Sequence, residues 1–244
     1  PRMRVVHWRT LADTGRLPRW PQDAALVLDF ADLLEAWIAR QDAYGKVDGR
    51  IVCLSMFSHR WETPTAPDTP ADLKARSLAR YGEIGTCAVF PEHRFDYFFW
   101  IDYCGVHQDD HLAKTLGAAK LPLYGASVVE ILFFFTPEYE ARAWTRLERA
   151  IGYVYAASPM FVYLDAQYLA LSQPPNLAEL CASHACFGRD AKTGGLTMAI
   201  NDPLSGALTD ESDRELLRKM LRMLRASAPI NAKLKASYAA RAYG

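Results

Sequence analysis

Four short runs of apolar residues, separated by longer stretches with helical features, dominate the central part of this chain. They are IVCLSMF (51–57), FDYFFWIDYC (95–104), VVEILFFF (128–135) and MFVYL (160–164). Strands that are apolar on both sides are typical of a parallel sheet with both faces covered. Because these strands alternate with helices, the sequence predicts the α/β class, with a central parallel sheet flanked by helices in three layers.

Apolar residues at a period near 3.6 predict the helices around these strands. The segment 22–42 is predicted to be an N-terminal helix that packs on the main body. The acidic first turn and basic last turn of 210–226 complement a helix dipole. Further helices are predicted over 71–81, 109–119, 137–156 and 230–241.

The 244 residues suit one domain with appended elements. We expect a core over about 50–165, preceded by the helix 22–42. The segment 166–206 carries several turn-forming pairs of Pro, Gly and Asn residues and is predicted to be loop-rich. We therefore expect 166–244 to be a C-terminal extension packed on the core.

The balance of charges excludes some classes of function. Lys plus Arg and Asp plus Glu number 28 each, which disfavours a general nucleic-acid binder. No apolar run approaches the roughly 18 residues that span a membrane, and the first residues have no apolar signal-peptide core. The five cysteines show no disulfide framework, so we expect reduced thiols and a cytoplasmic location.

One cluster of residues suggests a metal site. Cys181, His184 and Cys186 are zinc-ligand types, but their spacing matches no common zinc signature and a fourth ligand is missing. We interpret these cysteines as buried apolar residues and predict no metal. The chain also has no phosphate-cradling Gly-rich loop, nucleophile elbow or HExxH motif.

Polar and aromatic residues follow the predicted strands, where open parallel sheets bind their ligands. The candidate binding residues are Ser58, His59, Arg60 and Trp61 after the first strand, Asp102 and Tyr103 after the second, and Tyr139 and Trp144 after the third. Glu148 lies four residues beyond Trp144, on the same face of the predicted helix.

These segments, in this order, resemble the TIR family and its HET-domain relatives. LSMFSHRWE is similar to the opening strand and loop, and FFWIDYCGVHQDD to the strand ending in Asp, in its HET-like form. VVEILFFFTPEYEARAWTRLERAI resembles the stretch in which a strand is followed by Tyr, Trp and then Glu. The resemblance covers about 50–165 and implies a TIR-like (flavodoxin-like) fold. The loop SHRWETP departs from the common TIR form.

The resemblance implies that the chain splits NAD at the nicotinamide–ribose bond, with Glu148 as the catalytic residue. The products would be nicotinamide and either ADP-ribose or a cyclic isomer, and NAD would be a substrate, with no cofactor. A carboxylate would stabilise the oxocarbenium character that develops on the ribose. The alternative for Glu148 is a surface carboxylate paired with Arg142, Arg146 or Arg149.

For each of the other candidate residues, a role in binding and a structural role both remain open. His59 and Arg60 could meet phosphates, since Arg suits phosphate recognition, or could be structural. Trp144, Tyr103 and Tyr139 could contact a base or pack in the core, and Asp102 could lie in the site or end the strand.

A second function of a different class stays open, since the resemblance also covers non-catalytic scaffolds. Such a domain would signal by self-association, through 210–226 or 22–42. Both functions imply cell-death, defence or effector signalling, with the host cytosol as the location of a secreted effector.

Overall fold

The computed structural model describes residues 2–86, 94–134, 136, 138–155, 160–164 and 202–243. The strands are β1 (Arg4–His7), β2 (Leu28–Asp29), β3 (Arg50–His59), β4 (Arg94–Ile101), β5 (Glu130–Phe134) and β6 (Met160–Leu164). The helices are α1 (Trp8–Thr14), α2 (Phe30–Arg40), α3 (Leu73–Thr86), α4 (Asp102–Gly105), α5 (His111–Ala119), α6 (Leu121–Ser127), α7 (Ala143–Tyr155) and α8 (Asp213–Tyr243). Short 3₁₀ turns cover Ala24–Leu26, Tyr139–Ala141 and Pro203–Ser205.

The strands form one mixed sheet in the order β2-β1-β4-β3-β5-β6. The four predicted strands β3, β4, β5 and β6 run parallel to one another. Strand β1 runs antiparallel to β4, and the two-residue β2 antiparallel to β1. The α/β class and the mainly parallel sheet are therefore confirmed, whereas the antiparallel edge was not predicted.

The parallel strands are apolar because the sheet is covered on both faces. All five residues of β5 are buried, as are the last seven of β3. One face packs Leu54, Met56 and Ile131 against α6, α7 and α8. The other face packs Phe57, Phe99 and related side chains against α1 and α3.

The predicted helix over 22–42 is wrong in its first half. The helix α2 begins at Phe30, because the Asp29 side chain accepts a hydrogen bond of 3.0 Å from the backbone N–H of Ala31 and caps it. Residues before Asp29 form the 3₁₀ turn and β2 instead. The predicted packing face is also only partly correct, since Leu34 and Ile38 are 40% and 59% exposed.

Other boundaries differ in smaller ways. The predicted second strand ends at Ile101, where Asp102–Gly105 turns into α4. The predicted helix over 137–156 splits into the 3₁₀ turn Tyr139–Ala141 and α7. The segments 210–226 and 230–241 were predicted as two helices, but one helix, α8, begins at Asp213 and continues through both. In the described part of the chain, no helix combines the length and apolar character needed to cross a membrane.

Candidate functional site

The direction of the chain connections changes between β3 and its neighbour β5. From β3 the chain first passes to β4 on one side, and later returns past β3 to β5 on the other. Ligands of open α/β sheets bind outside the carboxyl ends of the strands at such a point. A cleft of about 490 Å³ lies there, a volume within the usual range for small-molecule sites.

The Glu148 carboxyl group lies in the wall of this cleft and is only 8% exposed. It accepts a hydrogen bond of 2.5 Å from the Ser58 hydroxyl, whose oxygen also lies 2.5 Å from the Tyr139 hydroxyl. Glu148 is on helix α7, which covers the sheet, and Ser58 is near the end of the sheet strand β3. Because Glu148 is buried, the alternative of a solvated carboxylate on an Arg-rich helix face is wrong.

The environment of Glu148 opposes its ionisation. Burial raises the pKa of this carboxyl group to about 8, with a further contribution from the negative charge of Asp102. The hydrogen bond from Ser58 acts in the opposite direction. With this raised pKa, Glu148 is mainly protonated at neutral pH. A cationic ligand would favour its ionised form.

Asp102 begins helix α4, at the carboxyl end of β4, and lines the same cleft with 36% of its side chain exposed. Its carboxylate accepts hydrogen bonds from His59 Nε2 (3.1 Å), Trp61 Nε1 (2.8 Å) and the backbone N–H of Tyr103 (2.6 Å). Burial alone would raise the pKa of Asp102, but these donors outweigh it and hold the pKa below its ordinary value. Asp102 and Glu148 thus differ within the cleft, since the pKa of Asp102 is held below its ordinary value and the pKa of Glu148 is raised above it.

His59 supports this arrangement from within the protein. Its side chain is 1% exposed and stacks on the Phe57 ring at 5.0 Å. In the described residues, His59 Nδ1 has no hydrogen-bond partner. The buried imidazole therefore uses its Nε2 atom for the hydrogen bond to Asp102, at the side of the cleft.

Two guanidinium groups line the cleft on the side of β5. Arg60 lies 3.7 Å from the Glu138 carboxylate, and Arg142 donates a hydrogen bond to the Thr209 hydroxyl. Burial, and then the positive charge of Arg60, lower the pKa of Arg142. An anion bound between these side chains would relieve that repulsion, and phosphate oxygens suit guanidinium groups.

A buried lysine holds the loop that follows β3. The Lys74 ammonium donates to the carbonyl oxygens of Arg60 (2.6 Å) and Pro67 (2.6 Å) and to Glu62 Oε1 (2.7 Å). Its side chain is completely buried. The loop residues from His59 to Pro64 line the cleft, so Lys74 fixes one of its walls.

Residues 202–212, named here the C-terminal strap, form the opposite wall together with the first turn of α8. The strap pairs with the start of α7 through Ala207, which accepts from the N–H of Ala143 (3.0 Å) and donates to the carbonyl of Ala141 (2.8 Å). At Gly206, an added Cβ would lie 2.5 Å from the Ala143 nitrogen. Only glycine therefore allows this close approach of the two backbones.

The structure brings most of the predicted site residues to the cleft. Those that line it are His59, Arg60, Trp61, Asp102, Trp144 and Glu148. Ser58 and Tyr139 are buried beneath Glu148 and hold it rather than line the cleft. Tyr103 packs edge-on against the Trp61 ring at 5.5 Å and supports it.

The sequence prediction missed several residues of the cleft: Gln108, His111, Lys114, Arg142, Thr209, Asp210 and Asp213. The Gln108 amide lies in the segment with a HET-like form, which was a usable signal. It donates to the carbonyls of Asp102 (3.1 Å) and Val106 (2.8 Å) and so fixes α4. The sequence around Thr209, Asp210 and Asp213 contains no pattern that predicts their contact with the cleft, whose other residues precede them by more than 60 positions.

Within the described ranges, no cluster of three His, Cys, Asp or Glu side chains could hold a metal ion. Cys181, His184 and Cys186 lie outside those ranges, so the prediction about them stays a prediction. Comparison with protein-family models, with curated proteins and with solved structures found no match for this chain.

Proposed function

We propose that this chain is a TIR-like enzyme that cleaves the nicotinamide–ribose bond of NAD. The products would be nicotinamide and either ADP-ribose or a cyclic ADP-ribose isomer. The observation that carries the proposal is the position of Glu148, whose buried carboxyl group lies in the cleft at the reversal point between β3 and β5.

The chemistry of N-glycosidic cleavage suits this carboxyl group. As the bond breaks, positive charge develops on the ribose, and a carboxylate in a water-poor site stabilises that charge strongly. The positive ring of NAD would favour the ionised form of Glu148 on binding, although burial keeps the group mainly protonated beforehand. Nicotinamide leaves as a neutral molecule, so no general acid is needed.

The distribution of charge suits a ligand with a cationic ring and an anionic diphosphate. Asp102, at the end of β4, supplies a negative charge on one side of β3. Arg142 follows β5 on the other side of β3, and the Arg60 side chain reaches Glu138 on that side. The pyridinium would lie near Asp102 and Glu148, with the diphosphate between the two arginines.

The strand order supports the TIR-like part of the proposal. Counted along the chain, the parallel strands β3, β4, β5 and β6 lie in the order 2-1-3-4. This order is the beginning of the 2-1-3-4-5 order of flavodoxin-like sheets. The antiparallel β1 and β2 and the C-terminal strap are additions to that core.

A signalling role would place this reaction in the cytoplasm, in cell death, defence or the action of a secreted effector. The free thiols of Cys53 and Cys104 suit a reducing compartment. Hydrolysis and cyclisation share the same first step, cleavage of the nicotinamide–ribose bond, and differ in the group that captures the ribosyl cation.

Exposed apolar side chains favour a second candidate, a non-catalytic domain that signals by self-association. Leu34 and Ile38 on α2 are exposed, as are Leu112 and Leu116, one turn apart on α5. A scaffold of this kind would tolerate the loss of Glu148.

The test is incubation of the purified protein, at high concentration, with NAD, followed by chromatography with mass detection. The wild type and a control variant at an exposed carboxylate, Glu211→Gln, should release nicotinamide, and Glu148→Gln should not. The mass of the second product separates hydrolysis from cyclisation. Equal release by wild type and Glu148→Gln would contradict the assignment of Glu148. The absence of nicotinamide release from all three proteins would favour the scaffold.

A further inference from the structure

Asp102 is a carboxylate of the cleft that the protein holds in place before any ligand binds. Three N–H donors hold Asp102, from His59, Trp61 and the backbone of Tyr103. One-third of the side chain nevertheless remains open to the cleft. An anion in this position is oriented by the protein and partly available to a ligand.

The positive charge that the protein supplies near Asp102 comes from His59 and, from beyond ion-pair distance, from the buried ammonium group of Lys74. Among the residues that the structure describes, His59 is the one basic side chain within 4.0 Å of this carboxylate. Arg60 is directed to Glu138 and Arg142 to Thr209. Lys114, from α5, lies 5.5 Å from the centre of the Trp61 ring, which shows that a cation is accepted beside the indole that donates to Asp102.

We propose that Asp102 selects the charge of the substrate's ring, so that the cleft takes oxidised NAD, with its cationic pyridinium, and discriminates against reduced NADH, whose ring is neutral. This inference rests on the proposed function. It adds Asp102 as a specificity-determining residue. It also assigns Asp102 and Glu148 to different stages of the reaction.

The course of the reaction explains this division. The bond between the ring nitrogen and ribose C1′ breaks, and its electron pair passes to the nitrogen, which neutralises the ring. Positive charge thereby moves from the ring to the ribose, where water adds to C1′ and releases one proton to solvent. Asp102 therefore stabilises the bound substrate, and Glu148 stabilises the charge that appears during cleavage.

Binding to Glu148→Gln, which should not turn over substrate, tests the proposal by calorimetry with NAD and NADH. We expect NAD to bind about two- to fivefold more tightly than NADH, the size of one partly exposed charge interaction. The double variant Glu148→Gln/Asp102→Asn should lose the preference, and Glu148→Gln/Asp102→Glu should retain it. 1-Methylnicotinamide and nicotinamide provide a second pair of probes, with and without the ring charge.

The chain offers a matched control in Asp96. Its carboxylate also accepts hydrogen bonds from a histidine, His7 Nε2 (2.8 Å), and from a tryptophan, Trp8 Nε1 (3.2 Å). Asp96 lies near the start of β4, at the other end of the strand from the cleft. Glu148→Gln/Asp96→Asn should therefore keep the preference for NAD while it reports the structural cost of losing such a cluster.

The outcomes separate this inference from the proposed function. Equal binding of NAD and NADH to Glu148→Gln would overturn selection by Asp102, even if the wild type releases nicotinamide. A preference that survives Asp102→Asn would overturn it as well. A charge preference that depends on Asp102, without nicotinamide release by the wild type, would support the inference and overturn cleavage.

Discussion

The indole N–H of Trp144 donates a hydrogen bond of 3.0 Å to the carboxylate of Asp213. This contact joins the first turn of α7 to the first residue of α8, and both side chains line the cleft. Trp144 precedes Glu148 by one helical turn, so its fixed ring forms the wall next to the proposed catalytic carboxyl group. The C-terminal helix thus takes part in the site as well as covering the sheet.

Loss of the Asp213 carboxylate should make the Trp144 ring less firmly held, while the ring itself stays in the cleft wall. We expect Asp213→Ala to lower the free energy of unfolding by about 1–2 kcal/mol, as for a partly buried hydrogen bond to a charged group. The KM for NAD should rise several-fold, with a smaller change in kcat. Chemical denaturation and steady-state kinetics measure both, with Glu215→Ala, at an exposed position on the same helix, as the control. An unchanged KM would show that Trp144 does not need this contact.

The sequence predicted the central sheet because each parallel strand is a mostly apolar run. It could not predict the antiparallel edge, because β1 has only four residues, Arg4–His7, and pairs with Phe98 and Phe99 more than 90 positions away. Pairings of this kind depend on tertiary contacts that leave no local pattern. The strap is a similar case, since its docking on α7 depends on backbone hydrogen bonds of Ala207.

Glu148 was predicted from the resemblance to the TIR family, but its burial could not be predicted. Its helix carries Arg146 and Arg149, and Arg142 directly precedes it, a pattern that is typical of a solvated face. On the inward face of α7, the polar group of Glu148 meets the hydroxyl groups of Ser58 and Tyr139. The side chains of the cleft from 202–213 were missed because nothing local to them indicates a site.

The buried lysine should be essential to the loop after β3. Lys74→Met keeps most of the side-chain volume but leaves the Glu62 carboxylate and two carbonyl oxygens without their shared donor. We expect a loss of about 3 kcal/mol in the free energy of unfolding, because the two carbonyl oxygens and the partly buried carboxylate lose their shared donor. Lys219→Met, on an exposed turn of α8, should change stability by less than about 0.5 kcal/mol. A similar small effect at both positions in urea unfolding would contradict this role of Lys74.

Ser58 should act on the chemistry through Glu148, since it does not line the cleft. Ser58→Ala removes the hydrogen bond that lowers the pKa of Glu148, so that pKa should rise further above 8. We expect nicotinamide release at pH 7 to fall about tenfold, the effect of one hydrogen bond to a charged group.

The comparison variant for Ser58 is Tyr139→Phe. It keeps the ring that packs edge-on against Phe133 at 5.7 Å and leaves the bond from Ser58 to Glu148 in place. The acid limb of the pH–rate profile should move to higher pH in Ser58→Ala and stay in place in Tyr139→Phe. Parallel shifts in both variants would mean that the hydroxyl pair acts as a unit.

The raised pKa of Glu148 predicts how activity depends on pH. The proposed reaction uses the ionised carboxylate, and the free enzyme has a pKa of about 8 for this group. We therefore expect kcat/KM for NAD to rise from pH 6, to reach half its maximum at about pH 8 and to level off roughly one pH unit higher, since this ratio reports the free enzyme. The corresponding limb in kcat should lie at lower pH, because the bound pyridinium favours the ionised group. A kcat/KM profile that is flat from pH 6 to 9 would contradict this role.

The same carboxyl group should make stability depend on pH. Its pKa is about 8 in the folded protein against an ordinary value of 4.5, so between these values the folded state binds more protons than the unfolded state. The free energy of unfolding should therefore fall as pH rises from about 4.5 to 8, by up to a few kcal/mol from this group. Glu130, whose pKa burial raises to about 6, adds a similar decline over a narrower range. Subtracting the urea-unfolding profile of Glu148→Gln from that of the wild type isolates Glu148, and a difference that does not change between pH 5 and 8.5 would show that this group ionises normally.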